Sequence, residues 1–269
     1  MGTNGGWLKG CGIGCGVTVL ILIVVFIGCG YSVMSPFRSA QQTREQLDGI
    51  YGAQADYRPA PDGAVTPERL DAFLQVRERL LELCAGFDEA AAAFEGLDAM
   101  DEDASKTDAM RAVFGAMDEI MGMPALMGHF EDVRNEALLE AEMGLGEYSY
   151  IYVLTYFSWL GMDLEQEGSP LDGSFTSRRQ REILRDMLRA QLEDLREADP
   201  DDPFASKLAE EILRLEADTE SIPWREGPPP AMAAVLEPYR ERLVELWCAN
   251  TASGELSISK TRGLSVQAD

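Results

Sequence analysis

The residues best suited to soft-metal chemistry are Met117, Met121, Met123 and Met127, followed closely by His129. Thioethers and an imidazole form a donor set that suits Cu(I). Methionines at helical spacing are also ordinary core filler, and Pro124 interrupts the face they would share. His129 is the only histidine, which excludes ferritin-type di-iron sites, with their two Glu-x-x-His units, and zinc sites built on histidine pairs. A serine or cysteine triad would have to use His129, and the chain has no Gly-x-Ser-x-Gly elbow. Asp101-x-Asp103-x-Ser105 begins like a calcium loop, but Lys106 stands where glycine belongs and Ala112 where the bidentate glutamate belongs. Glu136 and Glu140 lie one helical turn apart and could do acid–base work, yet in a chain with 47 acidic residues such pairs arise by chance. The residues therefore lean against an enzyme and imply no cofactor.

A second candidate is the uncharged stretch Tyr148 to Met162, which carries Tyr148, Tyr150, Tyr152, Tyr156, Phe157 and Trp159. It is too short to cross a bilayer. Its pattern predicts the central helix of a bundle, with Tyr148, Tyr152, Tyr156 and Trp159 lining a ligand pocket as the sharper alternative. Cys84 and Cys248 each fall inside an apolar helical pattern. Two inert core thiols are the expectation, and one disulfide is the alternative.

These candidates must be positioned by helices. Thr66 and Pro67 open the first long one as N-cap and first helical residue. Phe73, Val76, Leu80, Leu83, Phe87, Ala90, Phe94 and Leu97 then recur in alternating steps of three and four, the seam of one helix packed lengthwise on another. Further helices are predicted over Thr107–Met121, Pro124–Met143, Leu145–Leu160, Ser177–Ala198, Phe204–Ala217 and Pro230–Ala249. The breakers between them are Gly168-Ser-Pro170 with Asp172-Gly173, Asp199 to Pro203, and Pro223 to Pro230. No hairpin series, βαβ alternation or fixed-period repeat is present. The expected fold is all-α, an antiparallel bundle of about six helices.

Gly10 to Phe37 carries no charge, and Val17 to Ile27 is strongly apolar. With its flanks this segment reaches the ~20 residues needed to span ~30 Å of hydrocarbon, with Trp7 and Tyr31 at the two interfaces. It reads as an uncleaved signal anchor, N-terminus inside and the bulk of the chain extracytoplasmic. Lys9 before the span against Arg38 and Arg44 after it leaves the basic count slightly contrary to that orientation. Phe26-Ile27-Gly28-Cys29 also resembles a lipobox, which would make Cys29 the lipidated residue of a cleaved lipoprotein. Gly12 and Gly16, four apart, could let two spans approach in a homo-oligomer. The chain thus divides into a flank at 1–10, a transmembrane anchor at 11–34, a juxtamembrane helix and Pro-rich linker at 35–65, a helical bundle at 66–250 and a flexible tail at 251–269.

The net charge is −24, and all 47 acidic residues follow Phe37. Sixteen of them lie between Ala85 and Glu147, opposed there only by Lys106, Arg111 and Arg134. Such a field repels phosphate backbones and excludes nucleic-acid binding as a main activity. The basic cluster from Arg178 to Arg189 is interleaved with Glu182 and Asp186, which predicts an intrahelical ion-pair face.

The box Tyr57-x-Pro-x-x-Asp62-Gly63, followed by Thr66-Pro-Glu-Arg-Leu70-x-x-Phe73 and later by Gly146-Glu147-Tyr148, resembles a group of uncharacterised bacterial membrane-anchored helical proteins. The likeness covers about a third of the chain and implies a bacterial cell-envelope setting with no activity attached. The expectation for function is a membrane-anchored interaction or assembly module with a protein partner of unknown identity. The alternative is a small-ligand or metal-binding envelope sensor built on the aromatic helix or the Met/His cluster.

Overall fold

A computed structural model describes residues 38–98, 106–162 and 178–255, which are helical apart from the connections between helices. The flank at 1–10, the anchor at 11–34 and Cys29 lie outside the described residues. Among those described, no helix is long and apolar enough to cross a membrane.

The chain enters through α1 (residues 38–51) and a single 3-10 turn, Gln54–Asp56. Tyr57 leads in extended conformation to a turn at Pro61 and Asp62, closed by the Gly63 amide on the Ala60 carbonyl, and Gly63 follows with a φ of +69° that suits glycine. A Cβ there would collide with the Met232 methyl group. Thr66 caps α2 (Pro67–Leu81) by accepting from the Arg69 amide, with Pro67 at the first helical position. The seam foreseen as one helix is broken at Glu82 and Leu83, after which α3 (Cys84–Asp98) begins. Successive hydrogen bonds of the three-residue type, Leu83 to Leu80 and Gly86 to Leu83, tighten the chain there. Phe73, Val76, Leu80, Phe87 and Ala90 nevertheless stay buried on both sides of the break.

Pro124 does not end a helix. α4 (Lys106–Glu140) runs through it, joining two segments foreseen as separate. Proline removes one backbone bond, and here it stands on the exposed side, where a long helix tolerates that loss. α4 ends in a Schellman turn: Glu142 adopts φ +49°, its amide bonds Leu139, and the Met143 amide bonds Leu138. α5 (Leu145–Tyr152) then continues without interruption into a π-helical stretch, Val153–Trp159. Every residue from Tyr148 to Ser158 is buried, so this element is the axis of the domain.

α6 (Arg178–Ala198) and α7 (Pro203–Ala217) form an antiparallel hairpin, and Asp202 caps α7 through the Phe204 amide. The arginine face of α6 is only partly intrahelical. Arg178 pairs with Glu182 and Arg189 with Asp186, but Arg189 also reaches Glu216 at 2.7 Å and Arg185 donates to the Leu215 carbonyl at 3.1 Å. Those contacts clamp α6 to α7.

The last foreseen helix is divided by Pro238 into α8 (Pro230–Leu236), a 3-10 turn and α9 (Arg240–Glu245). The tail expected to fray from Thr251 is instead ordered through α10 (Ala252–Glu255), and Thr251, Ala252 and Glu255 are buried. α2 and α3 pack on α4, while the 3-10 turn Gln54–Asp56 bridges α5 and α6.

Candidate functional site

Around the central helix the structure builds a closed polar core. Arg77 projects from the buried face of α2 and is fully buried, as is Glu255 on α10. Arg77 forms an ion pair with Glu255 and donates to the Leu246 carbonyl at 2.8 Å. Its guanidinium lies over the rings of Tyr152 and Tyr156, 5.2 and 5.4 Å from their centroids. The Tyr148 hydroxyl donates to the second Glu255 oxygen at 2.6 Å, and Thr251 donates to the first at 3.3 Å. Arg134, also buried, donates to the Gly254 carbonyl at 2.5 Å. A Cβ on Gly254 would lie 3.0 Å from the Phe130 ring, so glycine permits this approach. Two arginines on separate helices thus grip one C-terminal turn.

Tyr148, Tyr152, Tyr156 and Trp247 form a continuous ring series, with centroids 6.0, 4.9 and 4.9 Å apart in that order. Tyr148, Tyr152 and Tyr156 are all buried within this series. Trp159 is half-buried under the Arg240 guanidinium at 4.2 Å. Burial raises the phenols of Tyr148, Tyr150, Tyr152 and Tyr156, and the Glu255 charge adds to this at Tyr148 and Tyr152. Burial alone would lower the Arg77 pKa, but Glu255 and the surrounding phenols outweigh it and hold the guanidinium charged.

This arrangement fixes an alkaline limit. A phenol whose pKa is raised in the folded state stabilises fully below the ordinary tyrosine value of about 10, and that stability is lost as pH climbs beyond it, because only the unfolded chain ionises. Four such groups give a slope of about 5 kcal/mol per pH unit above pH ~10. The expected result is abrupt unfolding in which phenolate at Tyr148, Tyr150, Tyr152 and Tyr156, followed by their ring resonances, appears together with loss of helical circular dichroism. Phenolate at any of these four in a still-helical protein would refute it.

Met123 and Met127 pack against the hydrophobic core while His129 is exposed, and the side chains of Met117 and Met121 lie outside the described residues. Glu136 and Glu140 are both exposed.

The expected pair of free thiols is corrected: Cys84 and Cys248 form a disulfide across 164 residues of sequence. Their α-carbons are 6.0 Å apart, within the ordinary bridging range. Asp88 approaches the two sulfurs closely enough to suggest a metal cluster, but sulfurs bonded to each other supply no thiolate. Asp88 instead accepts from Asn250 at 2.8 Å.

A separate cleft of about 380 Å³ opens between α7 and the loop from Trp224 to Pro230. α7 contributes Lys207, Glu210, Glu211 and Arg214. Arg214 chelates Glu211 with bonds of 2.5 and 2.8 Å and also donates to Ser221 and to the Ile222 carbonyl. Glu211 in turn accepts from the Trp224 amide at 2.6 Å. This lattice holds Trp224 at φ +56°, a left-handed conformation that costs a bulky residue about 1–3 kcal/mol. The buried Trp224 indole nitrogen has no acceptor among the described residues.

Sequence reasoning missed Arg77, Glu255 and Trp224. Arg77 carried a readable signal, since it lies four residues after Phe73 and three before Leu80 and so shares their face. Glu255 and Trp224 carried none, because tertiary contacts alone give them their roles. Compared with protein-family models, curated proteins and solved structures, the chain finds no match.

Proposed function

We propose that this chain is held in a membrane by its uncharged N-terminal segment and displays an acidic, disulfide-locked helical domain on the oxidising side, where it serves as an interaction or assembly module. The observation that carries the reading is the Cys84–Cys248 bridge, because structural disulfides form and persist in oxidising compartments and are rare where glutathione keeps thiols reduced. It supports the orientation in which the N-terminus is inside, where the near-tied basic residues gave little help. The acid-rich sequence, with a net charge of −24, favours display to another protein. Candidate partners are a second protein, further copies of this chain and the bilayer itself through the anchor. Cys29 remains the alternative anchoring point through a lipid.

The test is thiol accounting in native membranes: free thiols are alkylated under denaturing conditions, with and without prior reduction, and the peptides holding Cys84 and Cys248 are weighed. Both peptides should be alkylated only after reduction. Alkylation of both before reduction would place the domain on the reducing side and sink the proposal. Cross-linking in the same membranes then identifies what the domain touches.

A further inference from the structure

We propose that residues 38–65 mount the domain rigidly on its membrane segment, so that anchor and domain move as one body and any partner is met at the bilayer surface. The inference rests on the reading of the uncharged N-terminal segment as an anchor.

Burial is the first argument. Ala40, Arg44 and Leu47 recur on one face of α1 in steps of four and three, and all three are buried. A helix that only led the chain away from a bilayer would need no buried face. The stretch between α1 and α2 is fastened as well, with Gln54, Pro59, Gly63 and Val65 buried at intervals along it.

Polar contacts to three different helices are the second. Asn135 on α4 donates to the Ala40 carbonyl at 3.1 Å, and the Thr43 hydroxyl donates to Asp132 at 3.2 Å. Gln54 donates to the Ser149 hydroxyl on α5 at 2.8 Å, and Gln191 on α6 donates to the Ala60 carbonyl at 2.9 Å. Asn135, Ser149 and Gln191 are themselves buried, so detaching the segment would cost the bonds that these groups make to it. That sets these bonds apart from a surface pair such as Arg58 with Asp194, which contributes little by itself.

Close backbone approach is the third. A Cβ on Gly144 would lie 2.9 Å from the Tyr51 Cβ, and one on Gly146 would lie 2.6 Å from the Gln54 carbonyl oxygen. Glycine at both positions lets the end of α1 and the 3-10 turn sit directly on the start of α5, the axis of the domain.

Reach gives the mount its consequence. As a flexible chain, residues 38–65 would allow the domain a root-mean-square reach of about 30 Å and free rotation. With those residues packed, only Ser35, Pro36 and Phe37 separate the anchor at 11–34 from the domain, at most about 10 Å of chain. A displacement of the anchor is then passed through α1 to α4 and α5.

The test places the full-length protein in lipid nanodiscs and reads the rotational correlation time of the α7 amides from 15N relaxation. The reference is a variant with about twenty Gly/Ser residues inserted between Phe37 and Arg38, a flexible tether that leaves the contacts of residues 38–255 in place. We expect the amides of the natural chain to tumble with the disc, several times more slowly than those of the insertion variant. Amides in the middle of α1 should also exchange as slowly as those of the buried part of α4. Equal correlation times in the two proteins overturn the proposal, and so does an α1 that exchanges freely while α4 stays protected. A chain that does not enter the discs would remove the anchor reading and the mount with it. Insertion with independent tumbling would refute the mount alone and leave the anchored module intact.

Discussion

Replacing Cys84 and Cys248 together by alanine should lower the stability of the folded domain by about 5 kcal/mol, the loop-entropy value for a closed loop of this length. The bridge spans 164 residues, so it removes a large share of the freedom of the unfolded chain. It also acts locally, because Cys248 immediately precedes the turn that carries Glu255 into the core. Loss of the bridge should therefore free the C-terminal turn before the rest of the domain unfolds. Urea unfolding of the oxidised protein and the double alanine variant reads the first effect. Amide exchange at Gly254 and Glu255, compared with the middle of α6, reads the second. A change below about 1 kcal/mol, smaller than loss of a native bridge ordinarily causes, would mean that buried contacts hold the segment without the disulfide.

What could be read from the residues alone follows from how local each signal is. The start of α2 was legible because Thr66 and Pro67 satisfy helix-end requirements by themselves. The three-and-four seam correctly identified a buried face, but it could not register the break at Glu82 and Leu83, since a short tightening of the helix preserves the face. Proline misled in both directions. Pro124 reads as a helix boundary yet lies within α4, whereas Pro238 falls inside a predicted helix and divides it. The π-helical stretch Val153–Trp159 had no sequence mark, being adjusted by its surroundings, including the bond from Ser158 to Pro223. Cysteine pairing across so long a separation is a tertiary fact. Of the candidate site residues, Tyr148, Tyr152 and Tyr156 lie on successive turns of one buried helical element, as the expected central helix of the bundle requires.

Glu255→Gln should destabilise the domain by about 3–5 kcal/mol, because it leaves the Arg77 guanidinium charged and buried without its counter-charge. The amide is nearly the same size as the carboxylate, so lost packing contributes little, and the Tyr148 hydroxyl can still donate to the amide oxygen. Arg77→Met should be similarly costly, now stranding Glu255. Together with Glu255→Met it should cost much less than the sum of Arg77→Met and Glu255→Met made singly, since two apolar side chains of suitable volume need no desolvation. Such non-additivity would show that the ion pair does little for net stability and serves to admit only one docking of α10. That role suits a turn whose sequence, Ala249 to Glu255, offers few large apolar groups to set its position. Denaturant unfolding of the four proteins, all with the disulfide intact, supplies the cycle. Additive losses would sink this account and make the pair a direct source of stability. The same cycle repeated without the disulfide should give smaller values, because Arg77 then grips a segment that has already begun to leave.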